Sequence, residues 1–341
     1  MRCYPDLSIE AFTRTGDLAK PYKDGQILQH PPQPGKLRFS LGLARAVIGQ
    51  QANLIHCGHL FMAPMVASLA KFSRKPFILH LHGLELREEP TPARQAAMRA
   101  ADKLLCVSRD TANLAVVYGA VAPEQIAILP NRFANKFTPP TDRTSARERF
   151  ELGTAPALLT VSRLSSQQRH KGHERVLAAL PALLKRWPDA VYLIAGDGDD
   201  RPRLERLAAS NGVDANVRFL GRVPSEELPA LYGAVDLYVM PSTGDGFGIA
   251  FVEAMACGTP AHGLAVGGAI DALCPGELGF ASTPDAFELD LPVIVEQALA
   301  MTDTARMALA KAANAKFGQS TFDDTVARIF DPLLAGAKAV A

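Results

Sequence analysis

"STGDGFGIAFVEAMACGTP", residues 242–260, is the stretch on which the reading turns. Three glycines at alternate positions (Gly244, Gly246, Gly248) lead into a segment patterned as a helix that is apolar on every side. Ile249, Ala250, Phe251, Val252, Ala254, Met255, Ala256 and Cys257 surround a single carboxylate, Glu253. A helix apolar all round is normally buried, and Glu is rarely buried without a partner. The glycines let backbone approach a ligand, and the helix start offers free N–H groups. Such a terminus favours anions and hydroxyl oxygens. The spacing is neither a Gly-Lys-Ser/Thr phosphate loop nor a G-x-G-x-x-G dinucleotide turn. Glu253, further along the same helix, has two readings. It accepts hydroxyls from a ribose, or it is a structural acid satisfied by a backbone amide or an arginine.

The surrounding chain supplies the fold class. Short apolar runs alternate with longer helical patterns, which predicts an α/β protein with parallel sheets. In the first half the strands are read at Leu54–Cys57, Phe77–His82, Lys103–Val107 and Ile126–Leu129, with helices near 61–72, 92–101 and 109–119. In the second half strands fall near 157–162, 190–195, 216–220 and 236–240, with helices near 172–186, 201–211 and 225–234. After residue 284 the pattern is helical to the end. The polar, proline-bearing stretch "TPPTDRTSARERF", 138–150, reads as the boundary between two domains. The first 50 residues hold no convincing buried strand, only "MRCY" and the proline-rich "HPPQPG".

Bulk properties narrow the class. A chain of 341 residues suits two domains, and 48% apolar with 21% charged residues is a globular balance. No apolar run reaches the roughly 18 residues of a spanning helix, and the N-terminus lacks the order of a signal peptide. Five scattered cysteines (Cys3, Cys57, Cys106, Cys257, Cys274) form no Cys-x-x-Cys pair. They predict reduced thiols in the cytoplasm rather than a disulfide framework or a zinc ribbon. Charge divides unevenly: residues 1–150 carry 20 Lys+Arg and 12 Asp+Glu, a balance of +8, and the remainder carries −7. The basic half suits an anionic surface such as membrane lipid or a phosphorylated acceptor, or the two halves simply attract each other. Nucleic acid fits poorly, because the basic residues are dispersed and lack stacking aromatics.

Three further clusters bear on chemistry. "VSRLSSQQRHKGHERVL", 161–177, places Arg163, Arg169 and Lys171 at the C-terminal end of a strand, where α/β sheets bind ligands. Cations there fit a diphosphate, or form a solvated basic loop. "AVGGAIDALCPGELG" offers Gly267-Gly268, a helix start and Asp271. "HLHGLE" puts His80 and His82 at a strand end with His56 and His59 nearby, at spacings that fit no standard metal-ligand set.

Together these stretches resemble a family-4 retaining glycosyltransferase. "VSRLSSQQRHKGHERVLAALP", "YLIAGDGDDRPRLERLA", "VRFLGRVPSEELPALYGAVDLYVMPSTGDGFGIAFVEAMACGTP" and "DALCPGELG" fall in that family's order over residues 157–280. "NLIHCGHL", "PFILHLHGLE", "ADKLLCVSRDT" and "AILPN" match its first half more loosely. The resemblance implies the GT-B fold, two Rossmann-like doubly wound domains facing a central cleft. Residues 1–150 would form the acceptor side, 151–320 the nucleotide-sugar side, and 321–341 a helix returning to the N-terminal domain. The family's donor signature, an acid followed eight positions on by Glu, falls on Asp245 and Glu253.

By the same resemblance Glu253 binds the donor ribose. Asp245 and Gly246, with the amides of Phe247 and Gly248, hold the transferred sugar, Arg163 and Lys171 hold the diphosphate, and Asp271 adds to the donor site. His82 matches the histidine beside the sugar. The implied reaction is retaining transfer of a hexose from a UDP- or GDP-sugar to a glycan or lipid-linked acceptor. The departing phosphate takes the acceptor proton, with no metal or other cofactor required, in the cytoplasm or at the inner face of its membrane. Three departures stand out. Asp245 replaces the usual Glu, Arg132 stands where the family tends to have Gly, and the family's opening strand and Gly-Gly loop have no counterpart, as in a shortened chain. Two rivals keep the fold: a nucleotide-sugar-binding protein with little turnover, and another GT-B enzyme such as an epimerase or phosphorylase.

Overall fold

Apolar runs of three to five residues, shielded on both faces by helices, form the two main sheets of the computed structural model. The structure describes residues 4–338 apart from 5, 6, 15–17, 19, 34, 50 and 51. Cys3 and most of "MRCY" therefore lie outside the described residues. The chain divides into two units: Met1–Val107, Ala112–Leu129 and Asp323–Ala341 form unit one, and Ser108–Thr111 with Pro130–Phe322 form unit two.

Unit one opens with a small sheet of three-residue strands: β1 (Ile9–Ala11), β2 (Tyr22–Asp24) and β3 (Ile27–Gln29), in the order β1-β3-β2. None of these residues is buried, which is why no apolar alternation announces them. The helix Lys36–Gly49 follows, also unread from sequence. The main sheet is parallel and in chain order: β4 (Ile55–Cys57), β5 (Phe77–Leu81), β6 (Lys103–Cys106) and β7 (Ile126–Ile128). Helices Ala63–Ser73, Pro92–Arg99 and Arg109–Gly119 connect them. Leu79, Leu81, Leu104 and Cys106 meet Val66, Met98 and Ala115 in its core. Such continuous apolar strands suit a sheet covered on both faces.

Unit two is built on six parallel strands: β8 (Ala157–Val161), β9 (Val191–Ala195), β10 (Val217–Gly221), β11 (Leu237–Met240), β12 (Ala261–Leu264) and β13 (Phe280–Ser282). Their order is β10-β9-β8-β11-β12-β13, which reverses direction between β8 and β11. This is the doubly wound arrangement, in which ligands bind beyond the strand ends at the reversal. β12 and β13 are additions to the sequence reading. His262 interrupts the apolar run of β12, yet it is fully buried, hydrogen-bonded through Nε2 to Ser282 Oγ of β13 at 2.9 Å. Burial pushes its pKa down to about 3, so the ring is neutral.

The stretch 138–150 is not a linker. Unit two begins at Pro130, and the stretch carries the helix Arg143–Arg149, capped by Asp142, whose side chain accepts from Thr144 N at 2.9 Å. Arg143 and Arg147 reach Asp236 at the start of β11 at 2.6 and 3.1 Å, and Arg147 also donates to Ala234 O at 3.0 Å. Asp236 accepts from Ala157 N at 2.9 Å. A stretch that reads as a domain boundary is here a largely buried network clamping the N-terminal ends of β8 and β11. The last helix, Gln319–Lys338, counts with unit one from Asp323 onward. Tyr4 donates to its Asp331 at 2.7 Å. No helix of the described residues is long and apolar enough to cross a membrane.

Candidate active site

The loops leaving β8 and β11 meet at the strand reversal. Thr243 N donates to His170 O at 2.9 Å. Gly172, at φ 79°, lies so close to the second loop that a Cβ would sit 2.3 Å from Pro241 O, so no other residue fits. Behind them the buried ring of His173 hydrogen-bonds Ser162 Oγ at 3.0 Å, its pKa pushed down to about 4 by burial and by Lys171.

This junction pairs two of the expected site residues. Lys171 Nζ contacts Asp245 Oδ1 in a close ion pair, with side-chain exposures of 18% and 9%. The second oxygen, Asp245 Oδ2, is buried with no hydrogen-bond partner among the described residues. Arg163 is exposed and makes no ion pair among them. Arg169 does not join the group. Its Nε goes to Asp200 at 3.1 Å, which also binds Arg203 at 2.8 and 2.6 Å. Of the three cations in this loop, Arg169 is committed to Asp200 and Lys171 to Asp245, and Arg163 makes no ion pair among the described residues.

The Gly267-Gly268 pair has a packing role. Asp245 O accepts from Gly268 N at 3.1 Å, and a Cβ on Gly268 would lie 1.9 Å from Gly246 O. The two loops cross where only glycine fits, which fixes the backbone of Asp245 and Gly246. Asp271, expected in the donor site, has its carboxylate occupied: Arg109 donates to it from backbone N and from Nε, both at 2.5 Å. Phe247 is buried edge-on to Phe317, with centroids 5.6 Å apart, and Gly248 precedes the helix Ile249–Ala256. The first amides of that helix lack intrahelical acceptors.

Glu253 lies within this helix, partly buried, and among the described residues neither an arginine nor a backbone amide satisfies it. Tyr232 OH donates to its Oε2 at 3.1 Å. Beneath them Phe137, Tyr232, Tyr238 and Phe251 pack edge to face in sequence, with centroids 5.9, 5.6 and 5.5 Å apart. Burial raises the pKa of Glu253 to about 7, against the opposing hydrogen bond from Tyr232 and the charge of Lys136. Its Oε1 has no hydrogen bond among the described residues. Lys136 is held by Ser225 O at 2.8 Å. Tyr232 and Lys136 escaped the sequence reading; a tyrosine in a short apolar helix looks like core.

His82 belongs to unit one. Its Nε2 hydrogen-bonds Gly58 O at 3.0 Å, and its backbone N donates to Glu85 Oε1 at 2.8 Å. It stacks on His80 at 4.5 Å, and His80 on His56 at 5.7 Å. Burial and these two neighbours push the His80 pKa down to about 3. His59 stands apart, stacked on Phe61 at 4.8 Å. The described residues include no group of three or more His, Cys, Asp or Glu placed to hold a metal.

Comparison with known proteins gives this arrangement a family. The pattern defining glycosyl transferases group 1 matches residues 142–313, half the chain. The chain belongs to that family. A glycosyl transferase 4-like domain also matches residues 17–132. The GDP-mannose-dependent alpha-(1-6)-phosphatidylinositol monomannoside mannosyltransferase of Mycolicibacterium smegmatis is 34% identical over 211 residues, 58% of this chain and 54% of its own length. The D-inositol 3-phosphate glycosyltransferase of Corynebacterium kroppenstedtii is 32% identical over 238 residues, 63% of this chain and 52% of its own. The chain therefore spans about half the length of the curated relatives it matches. Among solved structures, Anabaena Alr3699/HepE in complex with UDP superposes with a TM-score of 0.76 at 21% identity, covering 96% of this chain and 100% of that one. The shared fold is GT-B, as the sequence resemblance implied.

Proposed function

We propose that this glycosyl transferase group 1 protein moves a hexose from a nucleoside-diphosphate sugar to a glycan or lipid-linked acceptor, with retention of anomeric configuration. The observation that carries the reading is the Lys171–Asp245 pair at the strand reversal, with Asp245 Oδ2 buried and unpartnered. An unsatisfied buried carboxylate oxygen costs free energy that a donating hydroxyl offsets, and a sugar supplies one. An incoming diphosphate meets Arg163 first and competes with Asp245 for Lys171. Its arrival releases the acid toward the sugar. Phe247 and Gly248 amides complete the sugar contacts, and Glu253 Oε1 takes a ribose hydroxyl.

The chemistry breaks the bond between anomeric carbon and diphosphate oxygen and forms one to the acceptor oxygen on the same face. The departing phosphate takes the acceptor proton. Arg163 and Lys171 stabilise the charge that develops on the leaving group, and such preorganised electrostatics supplies most of the acceleration. A lipid-linked acceptor draws support from the mycobacterial relative, whose name gives phosphatidylinositol monomannoside as its acceptor. UDP- and GDP-sugars both remain candidate donors, since that relative is named for GDP-mannose and the structural neighbour holds UDP.

The test is incubation with UDP-glucose, UDP-galactose and GDP-mannose, with phosphatidylinositol and phosphatidylinositol monomannoside as acceptors. An α-linked product from an α-donor is expected by NMR. A β-linked product refutes retention. Nucleoside-diphosphate binding without turnover on any acceptor, and without donor hydrolysis, favours a binding protein instead.

A further inference from the structure

Tyr232 is fully buried on the short helix Leu228–Ala234, and its position is held from several sides. Thr259, buried just beyond the helix that carries Glu253, donates from Oγ1 to Tyr232 O at 2.7 Å. The adjacent Gly233 packs so closely that a Cβ would lie 2.4 Å from Pro140 Cδ. The ring is gripped edge to face between Phe137 and Tyr238. Its hydroxyl ends at Glu253 Oε2, 3.1 Å away. Phenylalanine would serve packing alone, and a buried hydroxyl costs free energy unless it is hydrogen-bonded. The phenol is therefore locked in place with one oxygen of one carboxylate as its target.

We infer that Tyr232 is a positioning residue for the donor: it pins Glu253 Oε2 and so aims Oε1 at the ribose. The inference rests on the ribose role proposed for Glu253 above. The other polar groups that face this carboxylate are engaged elsewhere or donate weakly. Tyr238 OH is directed at Val161 O and Met240 Sδ, at 3.5 and 3.4 Å. Lys136 bears on Glu253 by its charge but gives its Nζ to Ser225. Cys257, on the same stretch of chain as Glu253, has a thiol pushed up by burial and by the Glu253 charge, and thiols are weak donors. Burial, with the charges of Tyr238 and Glu253, holds the Tyr232 phenol well above its ordinary pKa, so it keeps its proton and always donates. A donated hydrogen bond favours the ionised carboxylate, and it opposes the burial that holds Glu253 near 7. The ionised form offers the ribose a charge-assisted bond. Tyr232 thus governs both the direction in which Glu253 accepts and the pH range in which it does so.

The experiment is titration calorimetry of the full chain and of Tyr232→Phe with UDP, GDP and their deoxyribose counterparts, from pH 6 to 9. Phenylalanine keeps the ring packing and removes the donor. The ratio of ribose to deoxyribose affinity cancels the titration of the phosphates themselves. In wild type this preference should reach about tenfold or more, rising with pH and levelling off above about 7 as Glu253 ionises. Tyr232→Phe should move that rise upward by about one pH unit and cut the preference about fivefold at pH 7. By pH 9 most of the loss should be recovered, and the remainder reports the lost aim. In a Glu253→Gln background the same change should alter affinity less than about twofold, because the partner is already gone. Tyr238→Phe, the same deletion one ring along, should leave both affinity and pH profile unchanged. Weaker binding by Tyr232→Phe with an unshifted profile, or an equal loss in the Glu253→Gln background, marks a packing residue and overturns the inference. So does unaltered binding by Tyr232→Phe when Glu253→Gln binds weakly, a result that leaves the ribose reading standing. Unaltered binding by Glu253→Gln overturns both.

Discussion

Glu253→Gln separates stability from function at one position. The amide keeps an oxygen for Tyr232 and removes the charge. In the folded chain the carboxyl titrates near 7 because of burial, against an ordinary value of 4.5. The unfolded chain therefore loses its proton first as pH rises. The ionised form destabilises the fold progressively between pH 4.5 and 7, by about 1.36 kcal/mol per pH unit. The full shift corresponds to about 3.4 kcal/mol, and partial exposure of the side chain screens this to about 2 kcal/mol. Below pH 4.5 both states hold the proton and the penalty vanishes. At pH 8 the variant should thus melt about 4–8 °C higher than wild type, at roughly 2–4 °C per kcal/mol for a domain of this size. At pH 4.5 the two should melt together. Nucleoside affinity should fall about tenfold or more, because a charged hydrogen bond to the ribose is lost. Thermal melts from pH 4.5 to 8, with and without UDP or GDP, read both effects. A variant less stable at pH 8, or a difference constant across pH, refutes the electrostatic reasoning. A stability gain with unchanged affinity refutes the ribose role.

Other substitutions probe the rest of the site. Arg163→Ala should weaken nucleoside diphosphate about ten- to hundredfold by calorimetry, with little effect on nucleoside or on melting, because the side chain is exposed. Lys171→Ala should weaken it comparably and also destabilise the fold by about 3 kcal/mol, since Asp245 is left buried without its cation. Adding Asp245→Asn should restore most of that stability. Asp245→Glu should lower kcat/KM at least tenfold, because the Gly268 crossing prevents the backbone from retreating to admit another methylene; a gain in kcat/KM would show that the pocket was built for Glu. Asp236→Asn should cost about 3 kcal/mol or more in denaturant melts, as it uncouples Arg143 and Arg147 from the ends of β8 and β11.

The strands with unbroken apolar runs were legible because a sheet covered on both faces leaves no polar position to confuse the pattern. β12 was not, since a buried histidine satisfied by Ser282 looks polar until its neighbour is known. β1, β2 and β3 bury nothing, so periodicity has no purchase on them. The polar stretch 138–150 misled for the opposite reason: Arg143 and Arg147 are charged in sequence but committed to Asp236, ninety residues on in the chain. Within the site, Asp245, Glu253 and Lys171 were visible as chemistry out of place in apolar or glycine-rich surroundings. Their arrangement was not. That Lys171 pairs with Asp245, that Asp200 removes Arg169, and that Tyr232 carries Glu253 all depend on contacts between segments distant in sequence. Asp271 illustrates the limit, since its setting after two glycines resembles a ligand site while its carboxylate is filled by Arg109.

The central claim is that the loops at the β8–β11 reversal bind a nucleoside diphosphate through Arg163 and Lys171. Isothermal titration of the wild-type chain with UDP, GDP, uridine and guanosine tests it directly. The account predicts one-to-one binding of at least one diphosphate, at least tenfold tighter than its nucleoside, with that difference lost when both cations are replaced. Failure of both diphosphates to bind, or binding that Arg163→Ala with Lys171→Gln leaves unchanged, would contradict it.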